Sequence, residues 1–153
     1  MKLPLQESYM RFDEIKKMIE EDIVMDSTEL DKEALKTPQL HGKYLNILID
    51  EKLKLSKYDS DFKKLKRKKW LYYTGKMSQE ELNELGWDPF DLNILKTDID
   101  KFLDSDDDLI VLNDKILFLK EKVNYLETTL KMISNRQWLI REAIDWVKFT
   151  HGT

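Results

Sequence analysis

Lys63-Lys64-Leu65-Lys66-Arg67-Lys68-Lys69 puts six cations into seven residues, and Trp70-Leu71-Tyr72-Tyr73-Thr74-Gly75-Lys76 follows at once. Ammonium and guanidinium groups neutralise phosphates, and Trp and Tyr rings stack on unpaired bases. Residues 52–76 carry a net charge of +8, although the 153-residue chain is -4 in total. A cationic segment kept inside an acidic chain implies a polyanionic partner at one place. Aromatics beside the cations point to single-stranded nucleic acid ahead of a duplex or a membrane. Lys63, Lys64, Lys66, Arg67, Lys68, Lys69 and Lys76 are the candidate phosphate contacts, and Trp70, Tyr72 and Tyr73 the candidate base platforms. Each has a plainer reading. A charge run is often a solvated helix surface, but like charges at i,i+3 and i,i+4 repel unless an anion relieves them. The aromatics could instead anchor the helix end in the core.

Not all seven cations can meet one strand. On a helix Lys63 and Arg67 share a face with Lys66 beside them, while Lys64 and Lys68 point elsewhere. The element carrying them is expected to run from about Pro38 to Tyr73, with Pro38 at the first helical position and Gly75 as the stop. Leu40, Tyr44, Ile47, Leu48, Leu55, Tyr58, Phe62 and Leu65 mark its apolar side. An earlier helix is expected over about Gln6–Ile23, with Met10, Ile15, Met18, Ile19 and Ile23 on one face, and Thr28 to Asp31 as a weak capping box. Ser78-Gln79-Glu80-Glu81 reads as a capping box for a short helix ending near Gly86. Asp88-Pro89 opens another, with Leu92, Leu95, Ile99 and Leu103 on its face.

The charge is partitioned in blocks: -5 over residues 1–51, +8 over 52–76, -9 over 77–108 and +2 over 109–153. Asp104-Ser105-Asp106-Asp107-Asp108 resembles half of a calcium loop. It lacks the loop glycine and has Lys115 where the twelfth-position Glu belongs, so no metal is assigned. There are no cysteines, and His41 and His151 are isolated, so neither disulfides nor a thiolate or imidazole metal site is expected. No Walker loop, glycine-rich cradle or acid/base pair appears. The chain is therefore read as no enzyme and as needing no cofactor. Nothing approaches a membrane span, and Met1–Glu7 has no signal-peptide apolar region, so a cytoplasm is the expected compartment.

The C-terminal stretch holds the second strong pattern. Leu109, Leu112, Ile116, Leu119, Val123, Leu126, Leu130, Ile133, Gln137, Ile140, Ile144 and Val147 follow 3-4 spacing, which is a coiled-coil seam with Gln137 as its one polar core position. With Leu109 as a, the c positions are Val111, Phe118, Tyr125, Met132, Leu139 and Trp146, all apolar. So wide an arc can contact two neighbours. The expectation is an all-α protein with one helix of about forty residues packing both on its own N-terminal helices and in a ring-shaped homo-oligomer. Leu112, Ile116, Leu119, Val123, Leu126, Leu130, Ile133, Ile140, Ile144 and Trp146 are its expected subunit interface. The domain division is expected at 1–108, holding the box at 63–76, and 109–153.

Three stretches carry a family resemblance. Asp22-Ile23-Val24-Met25-Asp26-Ser27-Thr28-Glu29-Leu30 through Glu33-Ala34 matches D-V-x-x-D-S-T-x-L-x-x-E-A. Arg67 to Gly75 matches K-x-R-x-D-Y-Y-S-G, and Met132–Arg136 to Phe149–Gly152 matches a last-helix segment. In this order they resemble the UvsY family, recombination mediator proteins of T-even-type phages. The resemblance implies an all-helical ring of six or seven subunits and single-stranded DNA binding. It also implies contact with a phage RecA-like recombinase and with the phage single-strand binding protein, in the cytoplasm of the host bacterium. Arg67 and Lys69 take the places of the family's Lys and Arg, with the types exchanged. Leu71 replaces its Asp, and residues 76–108 align poorly. The functional expectation is a mediator that binds single-stranded DNA and loads a recombinase, with avidity from one box per subunit. An Asp at Leu126 or Ile133 would then open the ring. The rival is a coiled-coil adaptor whose box binds RNA or an acidic protein.

Overall fold

The computed structural model describes residues 11–152, and Met10 of the expected first helix lies outside them. Among the described residues the fold is all-α, with no strand: α1 (Phe12–Asp22), α2 (Leu30–Tyr73), α3 (Gln79–Leu85), a 3-10 turn (Lys96–Asp98), α4 (Ile99–Asp104), α5 (Asp107–Ser134) and α6 (Arg136–His151). No described helix is long and apolar enough to cross a membrane.

The box helix starts a full two turns before the expected Pro38. Asp26 Oδ1 accepts from the Thr28 N–H at 2.8 Å and from its hydroxyl at 2.6 Å, so an Asp26 turn replaces the expected Thr28 capping box. Pro38 lies inside α2. It has no N–H for the carbonyl of Ala34 and loosens the helix there. Arg136 is buried against the preceding turn: Nη2 reaches Glu33 Oε2 at 2.9 Å and the Glu33 carbonyl at 3.2 Å, and Nε faces the Thr37 hydroxyl at 3.4 Å. At the other end Gly75, at φ 70°, closes α2. The Lys76 N–H returns to the Leu71 carbonyl at 2.9 Å and the Gly75 N–H to the Tyr72 carbonyl at 3.2 Å, the 6→1 and 5→2 bonds of a Schellman stop.

Packing divides the chain into two units, with boundaries inside α2 and α5 and none at residue 108. One holds residues 11–52 with 121–152. Its core combines Ile15 and Ile19 of α1, Tyr44 and Leu48 of α2, Val123, Leu126, Leu130 and Ile133 of α5, and Ile140 of α6. The Phe12 ring stands edge-on to Tyr125 at 5.4 Å, and the Tyr44 hydroxyl donates to Asp22 at 2.7 Å. Lys122 and Glu51 form a buried ion pair at 2.8 Å, with Glu51 Oε2 left without a hydrogen bond. The other unit, Leu53–Lys120, carries the box. Ile99, Leu103 and Leu109 form its centre, and Phe62, Leu65, Tyr73 and Ile94 pack on them.

Three expectations need correcting. Asp88-Pro89 opens no helix: helical structure resumes only at Lys96, and Leu92 and Leu95 are exposed. The forty-residue helix is two helices, broken at Asn135, whose N–H is shared between the carbonyls of Lys131 at 3.1 Å and Met132 at 3.2 Å. That i→i-3 tightening fits Ser134-Asn135, whose side chains compete with helical bonding. Past the break Gln137 is exposed and Arg136 is buried in its place.

The expected subunit interface also changes. Ile116, Leu119, Val123, Leu126, Leu130, Ile133 and Ile140 are buried within the chain itself, Leu112 and Ile144 are half-buried, and of that set only Trp146 is broadly exposed, at 66%. The chain's own helices cover the a/d seam, because an amphipathic stripe packs on whatever apolar face is nearest along the chain. The c stripe keeps its apolar surface: Val111, Phe118, Met132, Leu139 and Trp146 are exposed, and Tyr125 is half-buried.

Leu126 is 0% exposed, so Leu126→Ala is expected to lower the free energy of urea unfolding by about 2–5 kcal/mol. An unchanged unfolding midpoint with a smaller sedimenting species would instead place this residue between subunits.

Candidate nucleic-acid interface

Helical geometry splits the box into two sides. Phe62, Leu65, Lys69 and Tyr73 recur at 3-4 spacing and turn toward the unit's interior, whereas Lys63, Arg67 and Trp70 recur on the adjoining face, about a third of a turn round the helix. Lys63, Lys64, Lys66, Arg67, Lys68 and Lys76 are exposed. Among the described residues no ion pair engages Lys63, Lys64, Lys66, Arg67 or Lys68. Trp70 is 38% exposed, and the Lys76 ammonium sits 4.6 Å from its ring centre. One indole face is thus capped by a cation, next to the Lys63–Arg67 row.

Lys69, expected as a phosphate contact, is the exception in its placement. It is only 7% exposed. Its ammonium lies 2.7 Å from Asp108 Oδ2, 3.0 Å from Asp106 Oδ2, and 4.3 Å from the centre of the Trp87 ring. A cation on the apolar stripe of α2 must be paired where it is buried. Asp106 supplies the pair because it also caps α5: its Oδ1 accepts the Leu109 N–H at 3.0 Å, and its carbonyl the Ile110 N–H at 2.9 Å. The Tyr73 hydroxyl donates to Asp106 Oδ2 at 2.6 Å.

These contacts set the charges. Burial pushes the Asp106 carboxyl up, but hydrogen bonds from Tyr73, Lys69 and the Leu109 N–H outweigh it and hold the group below its ordinary value. Burial likewise opposes the Lys69 charge, and the two carboxylates reverse the balance, so the ammonium is held above its ordinary value. Burial and then the Asp106 hydrogen bond raise the Tyr73 phenol.

The other two aromatics of the box also have structural work. The Tyr72 hydroxyl donates to the Asp88 carbonyl at 2.8 Å. Its ring packs on Trp87 at 5.3 Å and Phe90 at 5.5 Å, while Tyr73 packs on Phe90 at 5.0 Å and Phe102 at 5.6 Å. Of the two readings open for Tyr72 and Tyr73, anchoring is the one their positions fit, and Trp87 belongs to the same cluster. Of the three box aromatics only Trp70 is exposed. Asp106, Asp108, Phe90 and Phe102 are the residues sequence reasoning missed. A signal existed: Lys69 continues the apolar stripe four residues after Leu65, and Asp106 stands three before Leu109, where an N-cap belongs. Among the described residues no group of three or more His, Asp or Glu could hold a metal ion.

Comparison with known proteins agrees with this architecture. The profile of a family described as "Recombination, repair and ssDNA binding protein UvsY" matches residues 18–153. The recombination protein uvsY of Enterobacteria phage T4 is 22% identical over 143 residues, covering 94% of this chain and 99% of its own length. One crystal form of the bacteriophage T4 recombination mediator protein UvsY superposes with a TM-score of 0.80 at 19% identity, over 92% of this chain and 99% of that one. A second gives 0.77 at 20% identity, over 93% and 98%. At these identities the structural likeness establishes the helical fold.

Asp106 ties stability to pH. Its folded value lies below that of an ordinary aspartate, so its contribution is complete above about pH 5 and is lost as pH falls through the lowered folded value. Lys69 works in the other direction: its contribution is complete below 10.5 and is lost as pH rises through the raised folded value. Asp106→Asn is expected to cost about 2 kcal/mol at pH 7, less than for a fully enclosed pair because exposed Asp108 still faces Lys69. The gap from the parent, read from urea unfolding, should stay level from about pH 5 to 9 and narrow below about pH 4. A pH-independent gap would show that the carboxylate charge is not what matters.

Proposed function

This chain belongs to the UvsY family of recombination, repair and single-stranded-DNA-binding proteins, and we propose that it is a recombination mediator, holding single-stranded DNA on the exposed side of the α2 box. The observation that carries the reading is the row of cations Lys63, Lys66 and Arg67, engaged in no ion pair among the described residues, running to the partly exposed indole of Trp70. Phosphates spaced along a flexible strand can follow such a row while one base stacks on the free indole face. A duplex offers no unpaired base for that face.

The remaining steps rest on the same footing. The related crystal structures are of the bacteriophage T4 recombination mediator protein UvsY. For this chain we read mediation as loading a phage RecA-like recombinase onto strands covered by a single-strand binding protein, in the cytoplasm of the host bacterium. No turnover chemistry is invoked: binding energy bends and partly frees the strand so that the recombinase can nucleate. The exposed c stripe supports a closed homo-oligomer of about six or seven subunits, each presenting one box. Repeating a weak contact around a ring raises overall affinity by about 100-fold or more.

Anisotropy titrations of a labelled single-stranded oligonucleotide across salt test the box. Lys63→Ala with Arg67→Ala is expected to reduce the slope of log K against log salt by about 1.4, two phosphates at about 0.7 each. Trp70→Ala is expected to cost about 1–3 kcal/mol on single strands with little effect on duplex. Equal binding to duplex, RNA and single strand, with a shallow slope, would favour the adaptor reading. Leu139→Glu with Trp146→Glu tests the ring: sedimentation should shift to the monomer and single-strand affinity fall about 100-fold with helicity retained. A monomer of undiminished affinity would remove avidity from the mechanism.

A further inference from the structure

The unit that carries the box is not basic. Over residues 53–120 there are 13 Lys/Arg and 14 Asp/Glu, a net charge of -1, because the +7 of residues 53–76 and the +1 of residues 109–120 are met by the -9 of residues 77–108. That acidic segment is docked on the box itself. Lys69 is clamped by Asp106 and Asp108, the Tyr72 hydroxyl binds the Asp88 carbonyl, and Phe90 packs on both Tyr72 and Tyr73. The attachment points lie on α2 residues 69–73, one helix diameter or less from the exposed cations. A helix with its side chains is about 10–12 Å across, and the Debye length is about 8 Å at physiological salt and 10 Å at 0.1 M. Carboxylates on the rear of the box are therefore felt at its front, and more so as salt falls.

We propose that segment 77–108 is a built-in counter-anion of the basic box. Docked through Lys69, it opposes with protein carboxylates the positive field that a phosphate chain would otherwise meet. It thereby sets how tightly, and over what range of salt, each subunit holds a strand. Lys69 is then a positioning residue: it acts on DNA through the acidic segment and touches no phosphate. This inference rests on the single-strand reading of the box.

The test neutralises exposed carboxylates that take part in no ion pair among the described residues: Glu80→Gln, Glu84→Gln, Asp88→Asn and Asp91→Asn together. The control makes the same change in net charge in the other unit, with Glu20→Gln, Glu21→Gln, Asp50→Asn and Glu121→Gln. Both are compared with the parent by anisotropy on labelled oligo(dT) between 0.05 and 0.5 M salt, on the full chain. The box-side variant is expected to bind about tenfold more tightly than the control at the lowest salt, with a steeper salt dependence, and the two should converge near 0.5 M. Asp88→Asn with Asp91→Asn alone should give about threefold. Equal tightening in the two quadruple variants, no tightening, or weaker binding in the box-side variant would overturn the proposal. Lys63→Ala with Arg67→Ala, titrated alongside, separates the two levels. If the parent's binding needs those cations but ignores the acids, only the attenuation fails. If it does not need them, the single-strand reading of the box fails with it.

Discussion

Glu33, Glu51 and Lys69 recur every eighteen residues along α2, which is five whole turns, so all three stand on the same side of one helix. That side is also the buried one. Each charge is matched: Glu33 with Arg136 at 2.9 Å, Glu51 with Lys122 at 2.8 Å, Lys69 with Asp106 at 3.0 Å. Buried pairs add little net stability, since desolvation offsets the attraction, but a pair broken by misalignment leaves an uncompensated charge inside. In a helix whose other contacts are interchangeable aliphatic side chains, such a penalty is what makes one register preferable to its neighbours. The first two pins belong to the unit of residues 11–52 and 121–152, the third to the unit carrying the box.

The third pin also decides which cations remain available for a ligand. By drawing Lys69 inward, it turns its own side of α2 toward α4, α5 and the aromatic cluster of Tyr72, Tyr73, Trp87, Phe90 and Phe102. Lys63, Lys66 and Arg67 are left exposed, with no ion pair to a carboxylate among the described residues. The box thus has two faces, with one cation serving the fold and Lys63, Lys66 and Arg67 presented together on the other. The same contact places the acidic segment behind the box, so the anchoring of the unit and the electrostatics of its surface are one arrangement.

Much of this was legible in the sequence, and the failures have a common cause. The Schellman stop at Gly75, the Ser78 capping box and the αL close at Gly86 all stand where their residue types require. So does the buried aliphatic seam of α5. What misled was treating every charged residue as solvent-facing. Glu51 falls between Leu48 and Leu55 in the α2 stripe, Lys69 follows Leu65, and Lys122 and Arg136 occupy g positions beside the α5–α6 seam. Each continues an apolar period in a polar residue, and the partner that makes burial tolerable lies 37 to 103 residues away. Pro38 misled differently: local preference puts proline at a first turn, and only the α2 packing around Arg136 explains its place in the interior. Partition of the apolar arc between the chain's own core and an outer stripe was also beyond periodicity, which reports width and not which neighbour covers what.

Lysine footprinting tests most directly the claim that the box has a structural side and a binding side. The protein would be acetylated under limiting reagent with and without a saturating single-stranded oligonucleotide, and modification at each lysine read by mass spectrometry. The account predicts that Lys63 and Lys66 react readily in the free protein and are protected by the strand, while exposed Lys68, on another face, stays reactive in both states. Lys69 should be unreactive in both states until the fold is lost. Ready acetylation of Lys69 in the free protein, together with its protection by DNA, would contradict the account, because it would make Lys69 a phosphate contact and leave the acidic segment without its anchor.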